Sequence, residues 1–357
     1  MGQKVLHQFS ESAIAGDAIT DQILLIRQWL RDAGYHSEIY TEHCRPEMER
    51  EVRPVSSYRR QRGEEALIYH HAIGATAADR LLKLEIPTIL IYHNITPPSF
   101  FSQTDPALSR QLSDGRTQLN ALRKQTLLAL ADSGYNELEL KDSGYENTGI
   151  LPIVLDPVKY DFAADPGVKT RFSDGRKNLL FLGRLAPNKK QEDLMKLLLY
   201  YQRFEPETRL ILVGSSLLRN YSSWLRDFAF TLDLGDSVIF TGHVSQVEMI
   251  AYYQIADLYV SMSEHEGFGK PLIESMYFNL PVLAYSSTAV PYTLGDAGVL
   301  FRHKNYEALA EVVDILIRDD DLRQRVIRGQ RRRVRDYLEP KVHERWNRYL
   351  KLLEIHS

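Results

Sequence analysis

The chain has 357 residues, more than one typical core holds, and so implies two domains. Its apolar content of 44% and charged content of 25% are those of an ordinary globular protein, and a formal charge of −3 argues against general nucleic-acid binding. A single cysteine, Cys44, excludes an internal disulfide and a cysteine-rich metal site, and fits a reducing compartment. The opening residues are too polar for a signal peptide and no run approaches a transmembrane helix, so a cytoplasmic location is expected.

In chain order, Val5, Leu6 and Phe9 read as a first strand. Residues 10–18 read as a small-residue loop containing Gly16 and Asp17, and residues 19–33 as an amphipathic helix ended by Gly34. This opens a Rossmann-like unit, but without G-x-G-x-x-G a dinucleotide is not supported. Residues 36–40 read as the next strand. Residues 42–65 are densely charged and read as a solvated loop and helix, with a contact for an anionic acceptor or lipid headgroup as the sharper alternative. Residues 66–69 and 88–92 are apolar strands, each followed by histidine: His70-His71 and His93-Asn94. Histidines at the C-terminal ends of strands lie where α/β sheets bind ligands. Imidazole and amide there suit sugar hydroxyls. Residues 110–130 predict one long helix.

The segment 155–174, with Pro157, Pro166 and Gly167, reads as an interdomain linker. Residues 178–182 form a buried strand that runs into Gly183 and Arg184, with Lys189 and Lys190 a few positions on. Arg184 offers a rigid fork and Lys189 a compact cation, a pair suited to a pyrophosphate. Residues 210–213 give another strand with a turn at Gly214 running to Ser215 and Ser216. Residues 238–241 lead to Gly242, His243, Val244 and Ser245.

The stretch 257–284 carries the strongest signal. Leu258, Tyr259 and Val260 read as a buried strand. Gly267, Phe268 and Gly269 supply flexible backbone before Lys270 and Pro271, and Leu272 onward reads as a helix that Asn279 and Pro281 stop. A strand, glycine turn and helix N-terminus can receive an anion. Glu266 in the turn and Glu274 one helical turn inside would repel a phosphate, so they suit hydroxyls instead. Phosphate plus polyol means a nucleotide sugar. Downstream, seven arginines between positions 323 and 335 read first as a solvated helix face and second as a membrane-surface contact; interleaved aromatics for nucleic acid are missing. Residues 337–353 are amphipathic.

The pattern Glu266-Gly267-Phe268-Gly269-x-Pro271-Leu272-x-Glu274 resembles the Glu-x7-Glu signature of retaining glycosyltransferases of the GT-B fold, family 4 (glycosyltransferase group 1). Gly183-Arg184 with Lys189 is similar to that family's diphosphate clamp, and Gly242-His243-Val244-Ser245 to its base-reading loop. His93-Asn94-Ile95-Thr96-Pro97-Pro98 resembles a motif of bacterial polysaccharide-building members. The resemblance implies an α/β GT-B fold, two Rossmann-like domains facing across a cleft. It places an acceptor domain at 1–160, a donor domain at 161–335, and a last helix at 336–357 crossing back to the first domain. It implies catalytic roles for Glu266, His93, Arg184 and Lys189. Donor binding would fall to Gly16, Gly183, Gly214, His243, Val244, Gly267, Phe268, Gly269, Lys270, Pro271, Leu272 and Glu274. The function implied is retaining transfer of mannose or a related hexose from a nucleoside-diphosphate sugar to a glycan, lipid-linked or other hydroxyl acceptor, in cell-surface polysaccharide synthesis. The donor would be GDP- or UDP-linked, with GDP-mannose slightly favoured. No metal, other cofactor or nucleic-acid partner is expected, and a peripheral contact at the inner face of the membrane accompanies the reading. The alternative is a non-catalytic GT-B nucleotide-binding module.

Overall fold

The computed structural model describes residues 4–215 and 218–355; Ser216 lies outside them. The chain divides into two compact units, Met1–Val154 with Pro340–Ser357, and Leu155–Glu339. In the first, strands β1 (Val5–Ala13), β2 (Ile39–Cys44), β3 (Arg53–Pro54), β4 (Glu64–His71), β5 (Thr88–Tyr92), β6 (Thr126–Ala131) and β7 (Thr148–Ile150) form one parallel sheet in the order β3-β2-β1-β4-β5-β6-β7. Helices α1 (Ala18–Asp32), α2 (Thr76–Leu84), α3 (Pro106–Leu122) and α4 (Gly134–Asp142) alternate with the strands. Central strands covered on both faces read as continuous apolar runs, which is what Leu67, Ile68, Ile89, Leu90 and Ile91 supply.

The second unit repeats the plan. Its first α-helix is α5 (Pro166–Phe172). Strands β8 (Lys177–Leu182), β9 (Thr208–Val213), β10 (Val238–Gly242), β11 (Leu258–Ser261), β12 (Val282–Tyr285) and β13 (Val299–Phe301) form a parallel sheet in the order β10-β9-β8-β11-β12-β13. Between and after them run α6 (Gln191–Tyr201), α7 (Arg219–Thr231), α8 (Gln246–Ile255), α9 (Lys270–Tyr277), α10 (Val290–Leu294), α11 (Tyr306–Arg318) and α12 (Asp320–Arg333). The last helix, α13 (Glu339–Ile355), returns to the first unit, where Val342, Trp346 and Leu350 pack with Ile26, Trp29 and Leu30 of α1. In each sheet the strand order reverses beside the unit's first strand, between β1 and β4 and between β8 and β11. Ligands of open α/β sheets bind beyond the C-terminal ends of strands at such a switch point.

Four local expectations are corrected. Residues 10–13 are strand rather than loop, because β1 continues its parallel ladder with β2 as far as Ala13 opposite Cys44. Residues 42–65 hold no α-helix. Pro46 and Pro54 confine them to two 3-10 turns and a short edge strand, and Met48, Val52, Val55 and Tyr58 anchor them in the core. The long helix at 110–130 stops at Leu122, and residues 126–131 are strand β6 between β5 and β7, buried from Leu128 onward. Burying a leucine such as Leu130 is worth about 1.5–3 kcal/mol, which outweighs helix preferences of a few tenths per residue. Residues 155–174 are not an open linker: they carry a 3-10 turn, Pro157–Tyr160, and α5, and belong to the second unit.

Candidate active site

At the switch point of the second unit, the loop after β8 and the loop after β11 are clasped together. The Asn188 carbonyl accepts from the Glu264 N–H at 2.8 Å, and the Asn188 amide donates to the His265 carbonyl at 3.1 Å. Asn188 and His265 are both buried, so the clasp is sequestered from water. It brings Lys189 Nζ to 2.6 Å from Glu266 Oε2, with both side chains largely covered. Behind the pair, Lys304 bridges Asp193 at 2.7 Å and Glu264 at 2.9 Å, while Lys190 lies 3.5 Å from Glu264. Its two carboxylate partners raise the Lys304 pKa against the opposing effect of burial, which is the largest single influence. Glu266 is also held through its backbone, whose N–H donates to Thr288 Oγ1 at 2.8 Å. Arg184 is exposed and makes no ion pair among the described residues.

The turn then enters α9. Gly269 caps the helix in the left-handed region, φ +84°, with no side-chain cap, and Pro271 carries no N–H. The N–H groups of Phe268 and Gly269 donate to no partner among the described residues. The Phe268 carbonyl is fixed by Thr293 Oγ1 at 2.5 Å and its ring meets Tyr337 edge-on. The result is a rigid helix N-terminus with donors directed out of it, beside the Lys189–Glu266 pair and continuous with it in sequence.

Glu274, one turn inside α9, is buried. Tyr160 donates to its Oε1 at 2.6 Å and Tyr253 to its Oε2 at 2.7 Å, and Lys270 Nζ stands 4.0 Å away. Tyr253 is stacked on Phe278, so its hydroxyl is aimed by packing. Burial, then the nearby carboxylate, pushes the Tyr253 hydroxyl well above its ordinary pKa and keeps it a donor. Each carboxylate oxygen retains capacity for a further donor such as a ribose hydroxyl.

Gly183 and Gly214 end β8 and β9 in close backbone contact. A Cβ on Gly214 would sit 2.1 Å from the Gly183 carbonyl oxygen. His243 and Val244 stand on the loop after edge strand β10, two strands from β8, where Ser245 and Glu248 form a capping box for α8. They are therefore not part of the clasp.

In the first unit, His93 follows β5 with both ring nitrogens engaged. Gln8 Nε2 donates to the Ile23 carbonyl at 3.0 Å, which turns its Oε1 toward His70 Nε2 at 2.9 Å. His70 Nε2 must then carry hydrogen, so its Nδ1 accepts from His93 Nε2 at 3.0 Å. His93 Nδ1 faces the Asp132 carboxylate at 2.9 and 3.1 Å. Burial holds His70 well below its ordinary pKa, which fits its neutral role, and raises that of Asp132 against the pull of His93. Both His93 ring nitrogens are thus engaged within the first unit, and the ring fixes the end of β5. There Asn94 adopts φ +74° and donates to Asn136 at 3.0 Å and to Glu139 at 2.6 Å. Gly16 also has a positive φ, +81°, with open space around it, and Asp17 caps α1 by accepting from the Ile19 and Thr20 N–H groups. Asp132, Tyr160, Tyr253 and Asn188 were missed from the sequence, because each acquires its role only from a partner distant in the chain.

Among the described residues no cluster of three or more His, Cys, Asp or Glu side chains is placed to hold a metal ion, and no helix is long and apolar enough to cross a membrane.

The model of the family "Glycosyl transferases group 1" matches residues 168–333, which contain the whole clasp, α9 and Tyr253. Alpha-monoglucosyldiacylglycerol synthase of Streptococcus pneumoniae is 27% identical over 161 residues, covering 44% of this chain and 36% of that protein. O-antigen chain mannosyltransferase B of Escherichia coli is 28% identical over 149 residues, covering 41% and 38%. The matched parts thus span well under half the length of either relative. Among solved structures, Anabaena HepE in complex with UDP-glucose has a TM-score of 0.77 at 17% identity, over 97% of this chain and 99% of that one. That likeness concerns the fold. The chain has the GT-B fold, and its residues 168–333 match the model of the glycosyl transferases group 1 family.

Proposed function

We propose that the protein is a retaining glycosyltransferase that takes a hexose from a nucleoside-diphosphate sugar to a hydroxyl of a glycan or lipid-linked acceptor. The observation that carries this reading is the clasp, which sets a lysine and a carboxylate 2.6 Å apart beside an uncapped helix N-terminus. Arg184, Lys189 and the Phe268 and Gly269 N–H groups meet the charge that grows on the leaving diphosphate. Glu274, steadied by its two tyrosines, accepts from the ribose hydroxyls. Glu266 exchanges its lysine for hydroxyls of the transferred sugar. These cations neutralise the diphosphate without a metal, so a chelator leaves turnover unchanged. Transfer proceeds on one face of the sugar, the departing phosphate taking the acceptor's proton. Support for the donor class comes from HepE, crystallised with UDP-glucose, and for a mannosyl alternative from the O-antigen relative. The diacylglycerol relative supports a lipid-linked acceptor.

Thermal unfolding against UDP, GDP, ADP and dTDP tests the donor half. A nucleotide at about a hundred times its dissociation constant stabilises the fold by roughly 2.7 kcal/mol. The reading expects one nucleotide to raise the midpoint and Glu274→Ala to abolish the rise. No rise with any nucleotide would refute it.

A further inference from the structure

Helix α12 and the turn after it carry seven arginines between positions 322 and 335, with no lysine and no acid in that span. Three are tied down: Arg323 to the Asp257 carbonyl, Arg331 to Asn279, and Arg333 to the Tyr292 and Thr293 carbonyls and to Asp336. The other four, Arg325, Arg328, Arg332 and Arg335, are exposed and make no ion pair or side-chain hydrogen bond among the described residues. Their spacings of three, four and three put them in one row on one side of the helix. At 1.5 Å per residue the row is about 15 Å long.

The opposite side of α12 is seated firmly. Ile327 and Gln330 are buried, and the Gln330 amide brackets β12, donating to the Leu280 carbonyl at 2.7 Å and accepting from the Val282 N–H at 3.2 Å. The guanidinium row is therefore held on a fixed support, and binding through it costs no helix formation. Guanidinium forks match phosphate oxygens in pairs, which lysine cannot do.

We propose that this face of α12 docks on an anionic bilayer surface. A straight, one-sided row suits a planar array of lipid phosphates. No exposed aromatic interrupts it to stack bases, and the chain's formal charge of −3 opposes wrapping by a long polyanion. The contact goes beyond the proposed transfer and does not depend on it.

The test is co-sedimentation of the full chain with phosphatidylcholine vesicles, with and without phosphatidylglycerol. The expected result is binding to the anionic vesicles only, weakening as salt rises. Each arginine at the surface is worth about fivefold, so Arg325→Gln with Arg332→Gln lowers partitioning about thirtyfold. The charge-matched pair Lys83→Gln with Lys124→Gln, exposed in the first unit, changes it by less than about twofold, because only charge near the surface counts. Equal losses in both pairs, equal binding to neutral vesicles, no binding to anionic vesicles, or retention on single-stranded nucleic acid in place of vesicles would each overturn the proposal. Nucleotide-induced thermal shifts measured on the same variants stay at the wild-type value, so failure here is distinguishable from failure of the donor reading.

Discussion

Glu274 holds its carboxylate between two tyrosine hydroxyls, and that restraint is the most specific feature of the candidate site at the level of single residues. A hydrogen bond to a charged group is worth roughly 1.5–3 kcal/mol. Tyr253→Phe should therefore lower the stability of the second unit by that amount and weaken nucleotide binding, read by denaturant unfolding and titration calorimetry. Unchanged values in both would show that the hydroxyl does not restrain Glu274. The glutamates themselves were legible, because glycines, proline and both acids fall in register within nine residues. Their partners were not. Tyr160 lies 114 residues and Tyr253 21 residues from Glu274, and Asp132 lies 39 from His93. A tyrosine or aspartate in an ordinary α/β stretch gives no sign of its target until the strands are ordered.

Among the elements, the glycine turns at strand ends decide how closely neighbouring loops can approach, and the turns after β8 and β9 meet at Gly183 and Gly214. Gly242 has φ +73° with open space about its Cβ position, whereas a Cβ on Gly214 would meet the Gly183 carbonyl oxygen at 2.1 Å. Gly242→Ala should cost about 1–2 kcal/mol, the penalty of a left-handed alanine. Gly214→Ala should cost clearly more, because two backbone segments must separate and Arg184 moves with them. Equal unfolding midpoints for the two variants would contradict this. Strands such as β5 and β8 were readable from short apolar runs. The sequence 126–131, TLLALA, was not: leucine and alanine favour helix locally, and only its place between β5 and β7 makes it a strand.

In the molecule as a whole, acid should act on the first unit through its buried histidines. Burial pushes the His71 pKa down to about 4, and nearby His93 adds to the depression, while its hydrogen bond to the Gly115 carbonyl opposes it. A folded pKa below the unfolded value means that the unfolded chain takes up the proton first. The associated stability is complete above about pH 6.5 and is lost as pH falls toward 4. His70, held well below its ordinary value, acts in the same direction. For His71 alone the loss is about 2 kcal/mol by about pH 5. Urea midpoints read on Trp29 and Trp346 in a Trp224→Phe background would follow it; a midpoint independent of pH between 7 and 5 would contradict the account. The two-unit plan was evident from length and from the family resemblance, which also implied the return of the last helix; its seat against α1, through Trp29 and Trp346, was not, because these aromatics lie far apart in the chain. The most direct test of the central claim is consumption of a panel of UDP- and GDP-hexoses in the presence of glycan and lipid-linked acceptors, with the anomeric configuration of the product read by NMR. The account predicts transfer from one donor with retention, and its loss in Glu266→Ala while nucleotide binding persists. Inversion at the anomeric carbon, or full transfer by Glu266→Ala, would contradict it.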